Sequence, residues 1–239
     1  IFTTACLFSG FYAIVAAIDG NFERAGAAVF GAMICDGLDG RIARLTRTES
    51  VFGKEYDSLA DMVAFGVAPA IVSYQWGVAR IAEYGQTWGR LGWLAAFCYA
   101  VAAALRLARF NTVAATQDKR YFEGLPSPSA AATVAAFVWF SSEWREPGLT
   151  GLVVAFAITA LAGALMVSRF SYPSFKQIEW DRRIKFAYFI IVPAFFILVA
   201  SDPSTMLLSM FTTYALSAPL LWVARRIRRL WRGKGARAA

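Results

Sequence analysis

Four aspartates at helical spacings are the residues of this sequence best suited to chemistry. Asp36 and Asp39 are three residues apart, and Asp57 and Asp61 are four apart, so each pair shares a face if its segment is helical. Carboxylates that converge near hydrocarbon repel one another and lose hydration unless cations neutralise them. Ligation by oxygen alone favours Mg²⁺, Mn²⁺ or Ca²⁺. We therefore predict that the four carboxylates hold two divalent ions, which would clamp a pyrophosphate.

Small and basic residues surround the four aspartates. Gly40 and Ala43 follow the first pair along the same predicted helix, where small side chains leave room for a bulky substrate. Gly53 permits a tight backbone turn into the next helix. Arg44 suits a phosphate or a carboxylate partner. The competing interpretation is that the aspartates are solvated loop charges, with Asp57 capping a helix that begins after it.

Histidine is absent from the chain, and the three cysteines lie far apart in or beside apolar runs. Catalytic triads that use histidine are therefore excluded, and so are zinc sites. The cysteines have no zinc-ligand spacing, and we interpret them as small packing residues. Acid–base or metal chemistry in this protein must use carboxylates, lysine, tyrosine or water.

Long apolar runs must position these residues. The chain is 58% hydrophobic and 17% charged, against about 45–50% and about 25% in soluble domains. The pattern predicts an all-α, polytopic membrane protein with a single transmembrane domain over residues 1–239. A helix crosses a bilayer with about 20 residues, and the predicted spans are 1–18, 24–38, 58–79, 90–108, 128–142, 149–168, 185–200 and 205–224.

The distribution of lysine and arginine predicts the orientation. Segments 36–57, 106–125 and 169–185 hold four, four and five of these residues, and the tail from Arg225 holds seven. The segments on the other side hold four in all, which are Arg24, Arg80, Arg90 and Arg145. The positive-inside rule then puts both termini and the four aspartates on the cytoplasmic side. The net charge of +8 is thus a topology signal, and we predict no nucleic-acid partner. Because Ile1 begins inside an apolar run, we expect the natural N-terminus to lie upstream.

The spacing of the acidic segment resembles a known signature. Residues 36–61 read Asp-x2-Asp-Gly-x2-Ala-Arg-x8-Gly-x3-Asp-x3-Asp, which matches the signature of the CDP-alcohol phosphatidyltransferase family at every position. The resemblance implies an integral membrane enzyme, commonly a homodimer. It also implies that an alcohol displaces CMP from a CDP-linked substrate with the help of divalent metal, Mg²⁺ or Mn²⁺.

Segments 52–69, 104–111 and 122–128 are similar to the bacterial branch of this family that uses serine. This similarity implies CDP-diacylglycerol and L-serine as substrates, CMP as product, membrane lipids as surroundings and the bacterial inner membrane as location. Glycerol 3-phosphate, an inositol phosphate or choline stays open as the acceptor. A cation transporter using intramembrane acids is the alternative of another class, although transporters place such acids nearer mid-bilayer.

The resemblance also assigns roles to residues. All four aspartates would hold metal, and Asp61 would be the base that accepts the serine proton in a direct displacement. The CDP-binding residues it implies are Asp36, Asp39, Gly40, Ala43, Arg44, Gly53 and Asp57. One departure is the asparagine often found near the start of the first helix in this family, which is not visible here.

Arg106, Arg109 and Asn111 lie at the cytoplasmic end of the fourth predicted span. The two arginines are three residues apart, so they share a helical face. They could hold the lipid phosphate or the serine carboxylate. Positive-inside anchoring explains them equally well, and the sequence leaves both interpretations open.

Overall fold

The protein is a bundle of helices with one short β-ribbon, which confirms the all-α prediction. A computed structural model describes residues 1–46, 50–113, 121–142, 148–173, 193–194 and 197–235. The labelled helices are α1 (Phe2–Ile18), α2 (Phe22–Thr46), α3 (Val51–Asp61), α4 (Ala68–Ser73), α5 (Gln86–Val113), α6 (Ser127–Ser142), α7 (Leu149–Val167) and α8 (Pro203–Gly235). The strands are β1 (Tyr121–Glu123) and β2 (Ser171–Pro173).

Within the described residues, four helical stretches are long and apolar enough to cross a membrane: Val51–Tyr84, Gln86–Thr112, Leu149–Val167 and Pro203–Arg226. Helix α1 is also apolar but shorter. Helix α2 carries charged residues at both ends, and α6 has only 16 residues. The predicted span 185–200 lies largely outside the described residues. The count of eight spans is therefore not confirmed, although every other predicted span falls, to within one residue, in a helical stretch of the structure.

The helical stretch Val51–Tyr84 changes its winding directly after Asp61. It runs as α3, a π-helical segment at Met62–Val67, α4, a second π-helical segment at Tyr74–Val78 and a 3-10 segment at Ala79–Tyr84. Pro69 has no N–H to donate to the carbonyl of Phe65, four residues earlier, as an α-helix would require. The buried hydroxyl of Tyr99 on α5 donates to that carbonyl oxygen at 3.1 Å. A hydrogen bond from a neighbouring helix thus supports the irregular segment.

Small residues let the helices approach one another closely. Residues 130–138 of α6 are buried without a break, which makes α6 the central helix, in contact with α2, α4, α7 and α8. A Cβ added at Gly10 of α1 would lie 2.7 Å from the Cα of Ala64 in the π-helical segment. Close approach through small residues is the usual way to gain packing contacts where lipid surrounds the helices.

The β-ribbon connects the start of α6 to the end of α7 and to the middle of α8. Strands β1 and β2 pair antiparallel, with Phe122 opposite Tyr172. Gly124 follows β1 with φ +77°, and a Cβ there would lie 2.3 Å from the carbonyl oxygen of Met166. The fully buried Tyr172 donates its hydroxyl to the carbonyl of Ala215 on α8 at 2.8 Å. Burial raises the pKa of Tyr172 to about 12, so this donor keeps its proton.

Candidate active site

Three of the four predicted aspartates meet where α2 and α3 come together. Asp36, Asp57 and Asp61 each offer a carboxylate oxygen within 4.8 Å of the others, and all three side chains are partly buried. The ligand atoms that these three residues offer are all carboxylate oxygens, which suits a hard divalent cation such as Mg²⁺ or Mn²⁺. Three like charges at this separation repel one another strongly. The group therefore fits the metal site that the sequence predicts.

Asp61 supplies the clearest sign that something binds in this cluster. Its Oδ1 atom is buried and has no hydrogen-bond partner in the part of the chain that the structure describes. A buried carboxylate oxygen without a partner loses its hydration and gains nothing in return. A cation, or a proton donor from a substrate, would satisfy it.

Asp39 stands apart from the group of three. Its Oδ2 atom accepts a hydrogen bond from the hydroxyl of Thr3 in the first turn of α1. The two residues are 36 positions apart in the sequence. The sequence predicts that four carboxylates converge. The structure brings three of them within one ligand set and shows the fourth held by a neighbouring helix.

The N-terminus of α3 explains both Gly53 and Asp57. The hydroxyl of Ser50 accepts the N–H of Gly53 at 2.9 Å, so Ser50 is the N-cap of the helix. A Cβ at Gly53 would lie 3.0 Å from that hydroxyl oxygen, so glycine leaves room for the cap. Asp57 lies in the second turn of α3, and the competing interpretation of Asp57 as a cap is wrong.

Two glycines of α2 leave open space beside the carboxylates. A Cβ added at Gly40 would meet no atom of the described residues within 4 Å, and the same holds at Gly37. Gly40 is part of the predicted nucleotide pocket, whereas Gly37 went unnoticed although it lies between the two acids of α2. The side chains of Ala43 and Arg44, which complete that predicted pocket, lie outside the described part of the structure.

Arg106 on α5 faces the acidic cluster. Its Nη1 donates to the hydroxyl of Ser127, the first residue of α6, at 3.0 Å. Its Nε atom is buried and makes no hydrogen bond to any described residue. The guanidinium also interacts electrostatically with Asp61. A buried donor without a partner beside buried carboxylates suits an anionic ligand.

Arg109 and Asn111 are engaged with protein partners. Arg109 forms an exposed ion pair with Glu123 of β1. The amide of Asn111 donates to the hydroxyl of Ser58 at 2.9 Å, one residue after Asp57. These contacts join the end of α5 to the ribbon and to the acidic helix. Neither Glu123 nor Ser58 was singled out from the sequence, because each partner lies more than ten residues away along the chain.

Comparison with known proteins identifies the family. Residues 1–168 match the CDP-alcohol phosphatidyltransferase family, and the chain belongs to it. Members are membrane proteins that depend on divalent metal. The match contains the acidic segment and Arg106, so the residues described above all lie within the matched region.

Three individual relatives show which kinds of enzyme the chain is similar to. The chain is 37% identical over 225 residues to a CDP-diacylglycerol–serine O-phosphatidyltransferase of Helicobacter pylori, covering 93% of this chain and 90% of the relative. It is 36% identical over 156 residues to the Mycobacterium leprae protein of the same name, covering 59% of this chain and 49% of the relative. An archaetidylserine synthase of Methanothermobacter thermautotrophicus is 34% identical over 167 residues, covering 69% of this chain and 64% of the relative.

Proposed function

We propose that this protein transfers the phosphatidyl group of CDP-diacylglycerol to L-serine and releases CMP. The observation that carries the proposal is the cluster of Asp36, Asp57 and Asp61 with the Arg106 guanidinium beside it. Carboxylates suit metal-assisted chemistry on a pyrophosphate, and the arginine suits an anionic substrate group. The word serine appears in the names of all three relatives above, which supports serine as the acceptor.

The chain's own residues fit a divalent metal. We assign Asp36, Asp57 and Asp61 as ligands, with Asp39 as the fourth, and we expect two Mg²⁺ or Mn²⁺ ions. Bound metal supplies Lewis acidity that offsets the charge of the pyrophosphate. The buried Oδ1 of Asp61 and the oxygen-only ligand set support this assignment.

Asp61 is the proposed base. The hydroxyl of serine is a weak nucleophile, so a positioned carboxylate must accept its proton as the oxygen attacks phosphorus. A bond from the serine oxygen to phosphorus forms, and the bond from phosphorus to the CMP oxygen breaks. The proton passes to the Asp61 carboxylate, and CMP leaves as the anion. A direct displacement needs no covalent intermediate, in keeping with a chain without histidine.

The nucleotide pocket is assigned to the open face of α2 and the start of α3. The space that a Cβ added at Gly37 or Gly40 would find among the described residues supports room for a nucleotide there. Gly53 keeps the first turn of α3 compact under its Ser50 cap. Ala43 and Arg44 join the pocket on the strength of the family signature alone.

Arg106 is the proposed ligand of either the lipid phosphate or the serine carboxylate. Its Nη1 is held by Ser127, which leaves the Nε and Nη2 edge for a bidentate contact with an anion. Arg109 and Asn111 stay predictions as substrate-binding residues. Their contacts with Glu123 and Ser58 support positioning of the helices more than direct binding.

We further propose that residues 1–239 form one transmembrane catalytic domain in the bacterial inner membrane. Both termini and the active site would face the cytoplasm, as the distribution of basic residues favours. Acyl chains could then stay in lipid while CMP and serine exchange with water. The homodimer implied by the family resemblance stays a prediction, which chemical cross-linking in native membranes tests.

The decisive experiment measures CMP release by the purified protein. CDP-diacylglycerol and Mn²⁺ or Mg²⁺ are supplied with serine, glycerol 3-phosphate, an inositol phosphate or choline. We expect release with serine only. Release with another acceptor instead of serine would keep the reaction class and overturn the acceptor. No release with any of them would overturn the enzymatic proposal.

A further inference from the structure

Helix α1 forms a third wall of the acidic site. The two acid-bearing helices, α2 and α3, both contact α1, and the partly buried Thr3 in its first turn reaches Asp39. Cys6, one turn further along, is 1% exposed and interacts electrostatically with Asp61 and Asp36. The N-terminal part of α1 thus lies directly against the carboxylates.

The position of α1 along this wall is fixed by close packing. Gly10 lies so close to Ala64 of the π-helical segment that a Cβ would come within 2.7 Å of the Ala64 Cα. On its other side, a Cβ at Gly31 of α2 would lie 3.6 Å from the Ser9 hydroxyl oxygen. The approach at Gly10 is the tighter of the two, so helix α1 cannot slide far along the π-helical segment without a clash or a gap.

We propose that Thr3 is a positioning residue that holds the Asp39 carboxylate for metal binding. The threonine hydroxyl donates to Oδ2 of Asp39, which leaves Oδ1 for an ion. Outer hydrogen bonds of this kind fix the orientation of a ligating carboxylate and adjust its affinity for metal. A threonine held by a packed helix gives Asp39 one orientation in place of several rotamers. This inference rests on the proposed role of Asp39 as a metal ligand.

The test measures Mn²⁺ binding to purified, metal-free protein. Binding is detected as the loss of the electron paramagnetic resonance signal of free Mn²⁺. Neither lipid nor serine is present. We expect Thr3→Val, which keeps the shape of the side chain but not its donor, to weaken binding of at least one ion about tenfold or more. Thr3→Ser should bind as the wild type does, because it restores the hydroxyl.

Thr4→Val is the matched control. It removes the same group from the next residue, which is exposed and accepts a hydrogen bond from the Tyr56 hydroxyl at 3.3 Å instead of contacting a carboxylate. We expect wild-type Mn²⁺ affinity for this variant. If Thr3→Val cannot be recovered folded, Thr3→Ala replaces it in the same measurement.

The outcomes separate this inference from the proposed reaction. Wild-type Mn²⁺ affinity in Thr3→Val, or equal weakening in Thr4→Val, would overturn the role of Thr3. A wild type that binds no Mn²⁺ would overturn it together with the proposed metal site. If Thr3→Val alone weakens binding and no acceptor releases CMP, the role of Thr3 stands and only the proposed reaction fails.

Discussion

At the scale of single residues, the site is defined by polar atoms that the protein leaves without partners. Oδ1 of Asp61 and Nε of Arg106 are both buried without hydrogen bonds to described residues, and the two side chains interact electrostatically. Most buried polar groups in proteins are paired. Two buried atoms without a partner among the described residues, one on a carboxylate of the cluster and one on the guanidinium beside it, therefore point to a bound ligand that satisfies both.

The first prediction concerns the proposed base. Asp61→Asn keeps the size of the side chain but cannot accept the serine proton, and it weakens metal ligation. We expect CMP release to fall at least about 100-fold, because general base catalysis alone contributes about that much. Asp19→Asn, at the exposed C-cap of α1, is the control and should keep its turnover. Near-wild-type turnover in a correctly inserted Asp61→Asn protein would remove Asp61 as the base.

The second prediction distinguishes substrate binding by Arg106 from membrane anchoring. Arg106→Ala removes a charged donor from the site, and hydrogen bonds to charged groups contribute about 1.5–3 kcal/mol. We therefore expect KM for CDP-diacylglycerol or for serine to rise about tenfold or more, as initial rates at varied substrate concentration would show. Arg90→Ala, at the other end of the same helix and exposed, is the control. Unchanged KM values for both substrates in Arg106→Ala would favour anchoring.

At the scale of elements, irregular helix geometry begins directly after Asp61, the proposed base. Helix α3 ends at Asp61, and the π-helical segment begins at the next residue. Such segments often mark functional sites, because an extra residue in a turn re-aims the side chains beside it. The Tyr99 hydroxyl and the close contact with Gly10 hold this segment from two sides.

The third prediction tests the support from Tyr99. Tyr99→Phe removes the donor to the Phe65 carbonyl and leaves a buried acceptor short of one bond, which costs about 1–3 kcal/mol. We expect a lower unfolding temperature for the purified protein in detergent. Tyr84→Phe, whose ring is 52% exposed, should unfold at the wild-type temperature. Equal stability of the two variants would contradict the structural role of Tyr99.

The fourth prediction concerns the contact between α5 and α3. The Asn111 amide and the Ser58 hydroxyl are 2.9 Å apart, next to Asp57. A double-mutant cycle with Asn111→Ala and Ser58→Ala, read as kcat/KM for CMP release, should give a coupling energy of about 0.5–3 kcal/mol. Strictly additive effects would mean that Asn111 acts on the substrate independently of Ser58, as the sequence-based interpretation allows.

At the scale of the whole molecule, the bundle collects residues from distant parts of the chain at one end. Carboxylates from α2 and α3, a guanidinium from α5 and hydroxyls from α1 and α6 meet there. The β-ribbon connects the start of α6 to the end of α7 and to the middle of α8. The site is thus assembled by the tertiary fold around a central helix of small residues.

The fifth prediction is that the assembled site works only with divalent metal. Removing metal with EDTA should abolish CMP release, because the clustered carboxylates then repel the pyrophosphate instead of binding it. Adding Mg²⁺ or Mn²⁺ in excess should restore the rate. The helical circular dichroism spectrum should not change on removal, since the helices are stabilised by their own packing. Full activity in EDTA would contradict the metal assignment.

The sequence by itself determined the helical class, most helix positions and the acidic residues. Apolar runs of near-membrane length and acids at helical spacing are local features, so they can be read without knowing the fold. The sequence also predicted Arg106 as a candidate, although it could not separate binding from anchoring. The membrane span at 185–200 stays a prediction. The same holds for the roles of Ala43 and Arg44 in the nucleotide pocket.

Only the tertiary structure decided which atoms meet. The pairing of Thr3 with Asp39, Ser127 with Arg106 and Asn111 with Ser58 joins residues on different helices. Such contacts depend on how helices cross and how far they slide, which small residues such as Gly10 set by contact. No local pattern encodes those distances, because the same apolar faces could pack in several registers until their shapes are fitted together.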